Sequence, residues 1–163
     1  MAFDSFIKIG DIKGETNDSK HKDEIEVLSF SWGANQSTSM SAGAGGGGGK
    51  VQVQNFNFVK KIDKASPVLF QSCCTGDHIK QADFVVRKAG GTQLEYLKVK
   101  FTDVMIASIR PGGNANGSDD IPHEEVSLSF TKVEVDYQPQ GQDGKPLGGP
   151  VHGGWDMKAN IKA

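Results

Sequence analysis

The chain has 163 residues, which is enough for one domain with a substantial hydrophobic core and too few for two domains of comfortable size. Its formal net charge of −2, without a long basic run, excludes the electrostatic footprint expected of a protein that binds nucleic acid or an anionic membrane. Hydrophobic residues make up 36% of the chain before its 21 glycines are counted, so the glycine excess is expected to lie in loops.

The N-terminal segment predicts a strand from Phe3 to Ile9. Its apolar side chains recur at odd positions while Phe6 lies on the opposite face, and the polar stretch from Asp11 to Glu24 ends the strand. No basic leader or apolar run of signal-peptide length is present, and no stretch could span a membrane. We therefore expect synthesis in the cytoplasm and export, if any, without a cleaved signal peptide.

A second strand is predicted from Ile25 to Trp32. The parity of its apolar positions changes between Val27 and Leu28, which indicates a bulge. Beyond that change, Ser29 and Ser31 share a face that is small, polar and uncharged.

A glycine-rich loop follows at residues 34–50 and contains five consecutive glycines, Gly45 to Gly49. It has almost no apolar area to offset the backbone entropy lost on ordering, so we expect another element to order it. Its glycines satisfy G-x-G-x-x-G on paper, but a phosphate site needs a helix N-terminus directly afterwards, and the residues after Lys50 are typical of a strand. Nucleotide binding is therefore disfavoured, and no cofactor is expected.

The next strand region again changes parity, because Val51 and Val53 fall on one face and Phe56 and Phe58 on the other. This pattern predicts a second bulge. Lys60 and the lysines that follow it are interpreted as the solvated end of this strand.

One short helix is predicted, from about Pro67 to Cys74. Ser66 suits the N-cap, Pro67 suits the first helical position, and Gly76 suits the C-terminal cap.

Three β segments follow, from Ala82 to Lys88, from Leu94 to Phe101 and from Val104 to Ile109. They carry apolar groups on both faces, whereas a sheet with one wet face should alternate cleanly. With no further helix to cover the second face, we expect a neighbouring copy of the chain to cover it. The candidate subunit-interface residues are Val85, Val104 and Ile106.

The remaining segments are also typical of a mainly β fold. A polar loop from Pro111 to Pro122 precedes a strand from Val126 to Tyr137, whose apolar parity changes after Phe130 as in a bulged or bent strand. A proline- and glycine-rich arm at 138–154 leads to a last alternating strand from Trp155 to Ile161.

Reactive side chains form no recognisable chemical motif. The adjacent Cys73 and Cys74 cannot join distant parts of the fold, and with His78 they lack the further ligands of a zinc site. The four histidines are scattered, and no serine lies in a nucleophile motif. We therefore predict no catalytic residue, no metal site and no enzymatic activity.

Several motifs, in order along nearly the whole chain, resemble the Hcp family, the haemolysin-coregulated proteins that form the inner tube of bacterial type VI secretion systems. They are Phe6-Ile7-Lys8-Ile9 with Gly14-Glu15, Ile25 through Ser31-Trp32-Gly33, Arg87-Lys88-Ala89-Gly90-Gly91 before Glu95-Tyr96-Leu97, Tyr137-x-Pro139-Gln140, Gly148-Gly149-Pro150-Val151 and Gly154-Trp155.

The resemblance implies a single domain over residues 1–163, a small β-barrel of two packed antiparallel sheets with one short helix. It implies hexameric rings with an open lumen that stack into a tube, which sheath contraction propels out of the cell. The implied partners are other copies of the chain, a spike protein of the VgrG type, sheath and baseplate components, and small effector proteins carried in the lumen.

The resemblance also implies roles for individual residues. Ser31 matches a position associated with the lumen wall and effector contact, and Ser29 shares its face. Ser39, Met40, Ser41 and Lys50 match an extended loop thought to reach a neighbouring subunit or ring. Our hypothesis is that this loop orders when rings stack.

A second class of function stays open, namely a monomeric β-sandwich module that binds a ligand in the manner of a lectin or a lipocalin. The two classes differ in what covers the second face of the strands around Phe84 and Val104. Annular particles would favour the tube subunit, and particles of one chain's mass would favour the binding module.

Overall fold

The computed structural model of the chain describes residues 3–38 and 48–163. Within those residues it is mainly β with one helix, so the predicted fold class is confirmed. The elements are β1 (Phe3–Ile9), β2 (Ile25–Glu26), β3 (Ser29–Ser31), β4 (Ala34–Asn35), β5 (Gln52–Val53), β6 (Phe56–Lys61), α1 (Ala65–Thr75), β7 (Ile79–Lys88), β8 (Glu95–Gly112), β9 (His123–Tyr137), β10 (Val151–Asp156) and β11 (Ile161–Lys162).

Two layers of antiparallel strands share the long strand β9. One layer runs in the order β11, β10, β9, β8, β7, β1 and β2, while β3 and β6 attach to β9 on another path. Residues 123–128 of β9 pair with β6, and residues 132–137 pair with β10. Because β9 changes partners partway along its length, it belongs to both layers and joins them.

The strand β8 is continuous where the sequence predicted two separate segments. Its buried positions change parity between Phe101 and Val104, and the intervening Asp103 has a positive φ of 54°. A residue in this left-handed conformation bends the strand without ending it. The strand β9 follows this bend, because it pairs with β8 both before and after Asp103.

The parity change at Val27 marks a change of partner and not the predicted bulge. The Val27 N–H donates to the Ser5 carbonyl of β1, at 2.9 Å, and the Leu28 N–H donates to the Val59 carbonyl of β6, at 2.8 Å. The chain therefore crosses from one layer to the other between β2 and β3. The second predicted bulge is likewise a break, because β5 ends at Val53 and pairs with β4, whereas β6 pairs with β3 and β9.

Aromatic rings fill the space between the layers. Phe56 is fully buried, and its ring centroid lies 4.9 Å from those of both Phe84 and Phe101. Such tilted arrangements let rings pack closely without face-to-face repulsion of their π systems. Phe30 of the short strand β3 joins this cluster through Phe84, at 4.7 Å.

The helix α1 begins two residues before the predicted start. Lys64 is its N-cap residue and makes no side-chain capping bond, so the prediction of Ser66 as N-cap was wrong. Gly76 does form the C-terminal cap, with a φ of 66° and its N–H donating to the Ser72 carbonyl at 3.0 Å. This confirms the predicted end of the helix, since glycine adopts the left-handed conformation without a steric penalty.

The C-terminal region differs from the predicted single strand. The strand β10 begins at Val151, inside the predicted arm, and β11 pairs back onto it through Trp155 and Asp156. Asn160, with a φ of 58°, lies in the turn between them. Within the described residues, no helix has the length and apolar character needed to cross a membrane.

Candidate self-assembly surface

The outer face of β1 and β7 is covered by the chain itself. Phe6 and Val85 are cross-strand partners and so share that face, and residues 11–24, which we name the outer loop, pack on it. The His21 ring stacks on the Phe6 ring with centroids 4.6 Å apart, and the Arg87 guanidinium carbon lies 4.9 Å from the same ring. Phe6 is consequently buried, and Val85 is half-buried.

Two of the three predicted interface residues lie in the core of the single chain. Val104 and Ile106 are buried in the same cluster as Ala65 and Leu69 of α1, which packs against β8. They offer no surface to another copy, so the interface prediction was wrong for both. The expectation that no helix covers these strands failed because the one helix does so; Val85 stays a prediction.

The described residues leave a different apolar face uncovered. Cross-strand partners on β8, β9 and β10 have their side chains on one face of the sheet. Three successive rows of partners lead along this face from the hydrophobic core to the surface. The rows are Phe101, Val133 and Trp155, then Val99, Val135 and Gly153, then Leu97, Tyr137 and Val151. Exposure rises along them, from 0% for Phe101 to 46% for Tyr137 and 62% for Val151. We name the exposed part of this face the open face. It consists of Val135, Gly153, Leu97, Tyr137 and Val151.

A groove of about 530 Å³ lies beside the open face. We name it the tryptophan groove, because Trp32 and Trp155, the two tryptophans of the chain, both line it. Val53 and Val133 line it as well, so its walls are largely apolar. The Trp155 Nε1 is buried and has no hydrogen-bond partner among the described residues. A buried indole N–H without an acceptor is unfavourable, and an acceptor from another molecule would relieve this cost.

The strand β3 places Ser29 and Ser31 on the surface. Both side chains are exposed, and their cross-strand partners on β6 are Val59 and Asn57. No strand of the described residues pairs with the second edge of β3, so that edge presents unpaired backbone N–H and C=O groups. The small, uncharged face predicted from the sequence is therefore present, and its role in a lumen stays a prediction.

The glycine-rich loop leaves the fold from a paired stem. Ala34 pairs with Val53, and the Gly49 N–H donates to the Ser37 carbonyl at 2.8 Å. The predicted loop residues Ser39, Met40 and Ser41 lie outside the described residues. Lys50 is described and exposed, and it lines the tryptophan groove.

The lysines predicted to form a solvated strand end divide into two kinds. Lys61 and Lys64 are exposed, but Lys60 is fully buried. The Lys60 ammonium contacts Glu124, lies 2.8 Å from an Asp63 carboxylate oxygen and donates to Ser66 Oγ at 3.2 Å. The lysine is thus a satisfied internal cation, and the prediction was wrong for this residue.

Two titratable groups near the open face have shifted pKa values. The Asp136 carboxylate, 2.7 Å from His152 Nδ1, raises the pKa of that exposed histidine. Burial raises the pKa of Tyr96, and the neighbouring Tyr137 adds to the effect. Among residues 3–38 and 48–163, no group of three or more His, Cys, Asp or Glu side chains is placed to hold a metal ion.

Comparison with known proteins gives concordant matches. The sequence model of the family described as "Type VI secretion system effector, Hcp" matches residues 6–137. "Protein hcp1" of Pseudomonas aeruginosa is 50% identical over 164 residues, with 100% of each chain covered.

Solved structures are similar over the same extent. Hcp1 from Salmonella typhimurium has a TM-score of 0.83 and 45% identity, covering 100% of both chains. A structure described as that of a type six secretion system protein has a TM-score of 0.93 and 34% identity, covering 99% of this chain and 100% of the other.

Proposed function

The chain belongs to the Hcp family of type VI secretion system proteins, and from this we propose that it is a subunit of the tube, assembling into hexameric rings that stack. The observation that carries the proposal is the open face, with Tyr137 and Val151 exposed on a sheet face that is otherwise core. An apolar face of this kind is stabilised when another copy covers it. Head-to-tail contacts between identical subunits produce a closed ring when the rotation between them closes.

The remaining functional assignments follow from the same proposal. Residues 1–163 act as one domain, which leaves the cell with the tube and without cleavage of a signal peptide. Its partners are a spike of the VgrG type, sheath and baseplate components, and effectors that contact Ser29 and Ser31 on the lumen side. The subunit is structural and catalyses no reaction.

A charge placed on the open face tests ring assembly. Val151→Asp introduces a carboxylate that a covering subunit would have to desolvate, so we expect rings to dissociate into chains of 17.4 kDa. Light scattering gives the mass, and negative-stain images show whether annular particles remain.

The matched control is Val68→Asp on α1. Val68 is similarly exposed, at 48%, but lies away from the open face, so this variant should keep the ring. Equal loss of rings in both variants would show that the open face is not the interface between subunits. Wild-type protein that is monomeric at every concentration would instead favour the ligand-binding module, with the tryptophan groove as its site.

The glycine-rich loop is proposed to order on stacking. Deletion of residues 42–49 should leave single rings intact, because the Ala34–Val53 pair at the base of the stem remains. It should slow or abolish tube growth. Unchanged rate and extent of tube formation would contradict this role.

A further inference from the structure

The outer loop is fastened to the barrel by two ionic contacts that both involve its tip, residues 17–22. One joins Asp18 to Arg87 of β7, and the other joins His21 to Glu95 of β8. Under the tip lies Phe6 of β1, which the loop keeps buried. The two contacts differ in whether they depend on a proton.

The His21 contact depends on the protonation of its ring. His21 is buried, with Nδ1 2.8 Å from a Glu24 oxygen and Nε2 2.7 Å from a Glu95 oxygen. Ionised carboxylates only accept hydrogen bonds, and a neutral imidazole carries a single N–H. Only the imidazolium can donate to both carboxylates at once. A neutral ring would leave one carboxylate facing a nitrogen lone pair at hydrogen-bond distance.

Charged groups from the outer loop, β8, β7 and β1 surround His21. On the outer loop, the His21 backbone N–H donates to Asp18 at 3.2 Å, and Glu24 contacts the ring. From β8, Glu95 faces the ring and also lies 3.5 Å from the exposed Lys98 ammonium. From β7, Arg87 lies against the Phe6 ring, and its charge is matched by Asp18 and by Asp4 of β1.

The Arg87 contact keeps its charges when the His21 ring loses a proton. Arginine stays protonated in proteins, and the Arg87 hydrogen bond lowers the pKa of Asp18 to about 2. The tip is therefore held by one contact that is constant near neutral pH and by one that a single proton controls.

We propose that His21 is a pH-responsive clamp: its imidazolium fastens the tip of the outer loop over Phe6, and loss of one ring proton loosens the tip around the remaining Arg87–Asp18 contact. The change reaches a neighbouring surface, because Lys20 of the tip and Glu95 line a cleft of about 640 Å³ with Tyr96 and Gln138. Tyr96 in turn contacts Tyr137 of the open face, with ring centroids 6.4 Å apart. The clamp itself does not depend on the proposed tube function.

Site-resolved proteolysis of the full chain tests the clamp. Lys20 and Lys22 are exposed trypsin sites in the tip, and mass spectrometry can follow cleavage after each. Rates are taken from about pH 6 to about pH 8, within the interval in which histidine ordinarily changes its charge. They are divided by those of a peptide covering residues 15–27 of the same variant. A lost hydrogen bond to a charged group predicts a rise of about tenfold in the normalised wild-type rate.

Two variants separate the clamp from general effects of pH. His21→Gln can donate only from its amide and does not titrate, so its normalised rate should be high at all pH values and flat. His152→Gln removes another histidine that contacts a carboxylate, Asp136, far along the chain, and should retain the wild-type rise.

An independent readout needs no variant. Nitrogen NMR of the ring distinguishes imidazolium from neutral imidazole, and loss of the His21 ring proton should coincide with the rise in the cleavage rate. A ring whose protonation does not change over that interval, a flat wild-type profile, or a wild-type rise that persists in His21→Gln would each overturn the proposal.

Discussion

Lys60 and Glu124 pair with each other inside the barrel, where their side chains are only 1% and 2% exposed. The pair joins β6 to β9, since Lys60 and Glu124 are also cross-strand partners. Asp63 and Ser66 complete the set of groups that contact the lysine. Removing one member of such a pair leaves an uncompensated charge in a poorly solvated place.

Lys60→Met is the sharpest test of that pair. The substitution keeps much of the side-chain volume and leaves Glu124 without its cation, so the free energy of unfolding should fall by about 3–5 kcal/mol. Denaturant unfolding at one fixed protein concentration measures the change.

Lys64→Met serves as the matched control, because the Lys64–Asp23 pair is exposed and 3.9 Å long. Its loss should cost no more than about 1 kcal/mol. Similar losses in the free energy of unfolding for the two variants would show that burial does not make the Lys60–Glu124 pair more important for stability than an exposed pair.

Asp18 should contribute stability that disappears in acid. Its pKa is lowered from the ordinary 3.8 to about 2, chiefly by the hydrogen bond from Arg87. The folded state therefore binds this proton more weakly than the unfolded state does. The contribution is present above the ordinary value and is lost as the pH falls from there toward about 2.

Asp18→Asn should therefore flatten the decline of stability over that acidic interval, while lowering stability at neutral pH. Asp11→Asn changes an exposed carboxylate of the same loop and should leave the steepness as in the wild type. Thermal unfolding measured across the interval compares the three proteins, and identical profiles would rule out the assigned role of Asp18.

Two adjacent glycines of β10 should differ in their tolerance of alanine. A Cβ on Gly154 would lie 2.8 Å from the Val133 carbonyl oxygen and 2.9 Å from that of Ala163, whereas a Cβ on Gly153 meets nothing within 4 Å. Gly154→Ala should lower the free energy of unfolding by about 1–3 kcal/mol through overpacking. Gly153→Ala should change it by less than about 0.5 kcal/mol. Denaturant unfolding decides, and equal effects would contradict the close approach at Gly154.

Bulk added at Ser31 should affect cargo and not the ring. Ser31→Arg places a long cation on the face proposed to line the lumen, so rings should form normally but retain less effector when purified from the producing cell. Ser118→Arg, at another exposed serine, should retain the wild-type amount. Normal cargo in Ser31→Arg rings would separate this face from effector contact.

Local sequence signals were sufficient for elements whose conformation depends on near neighbours. The strand Phe3–Ile9 has the predicted bounds, and Gly76 ends the helix as predicted, because alternation and a left-handed cap are local properties. The parity changes at Val27 and after Val53 were also real. Their cause was not local, since a bulge and a change of partner strand give the same pattern in sequence.

Burial was harder to predict where charge or pairing opposed the simple pattern. Alternation through Phe56 and Phe58 places Lys60 on the inner face, but its buried partner Glu124 is 64 residues away, and the neighbouring lysines obscured the signal. Val104 and Ile106 looked like surface because the cover provided by α1 is a tertiary contact. No sequence signal indicated the open face, since the pairing of Tyr137 with Val151 crosses the proline- and glycine-rich arm.

The long strand β9 has a mechanical consequence. One edge of β9 runs along β8, and the other edge is bonded first to β6 and then to β10. Tension on either layer is therefore carried into the other by covalent backbone as well as by side-chain packing. When the chain is pulled from its two ends, the two layers should not unfold one after the other. The barrel should unfold in a single step at high force.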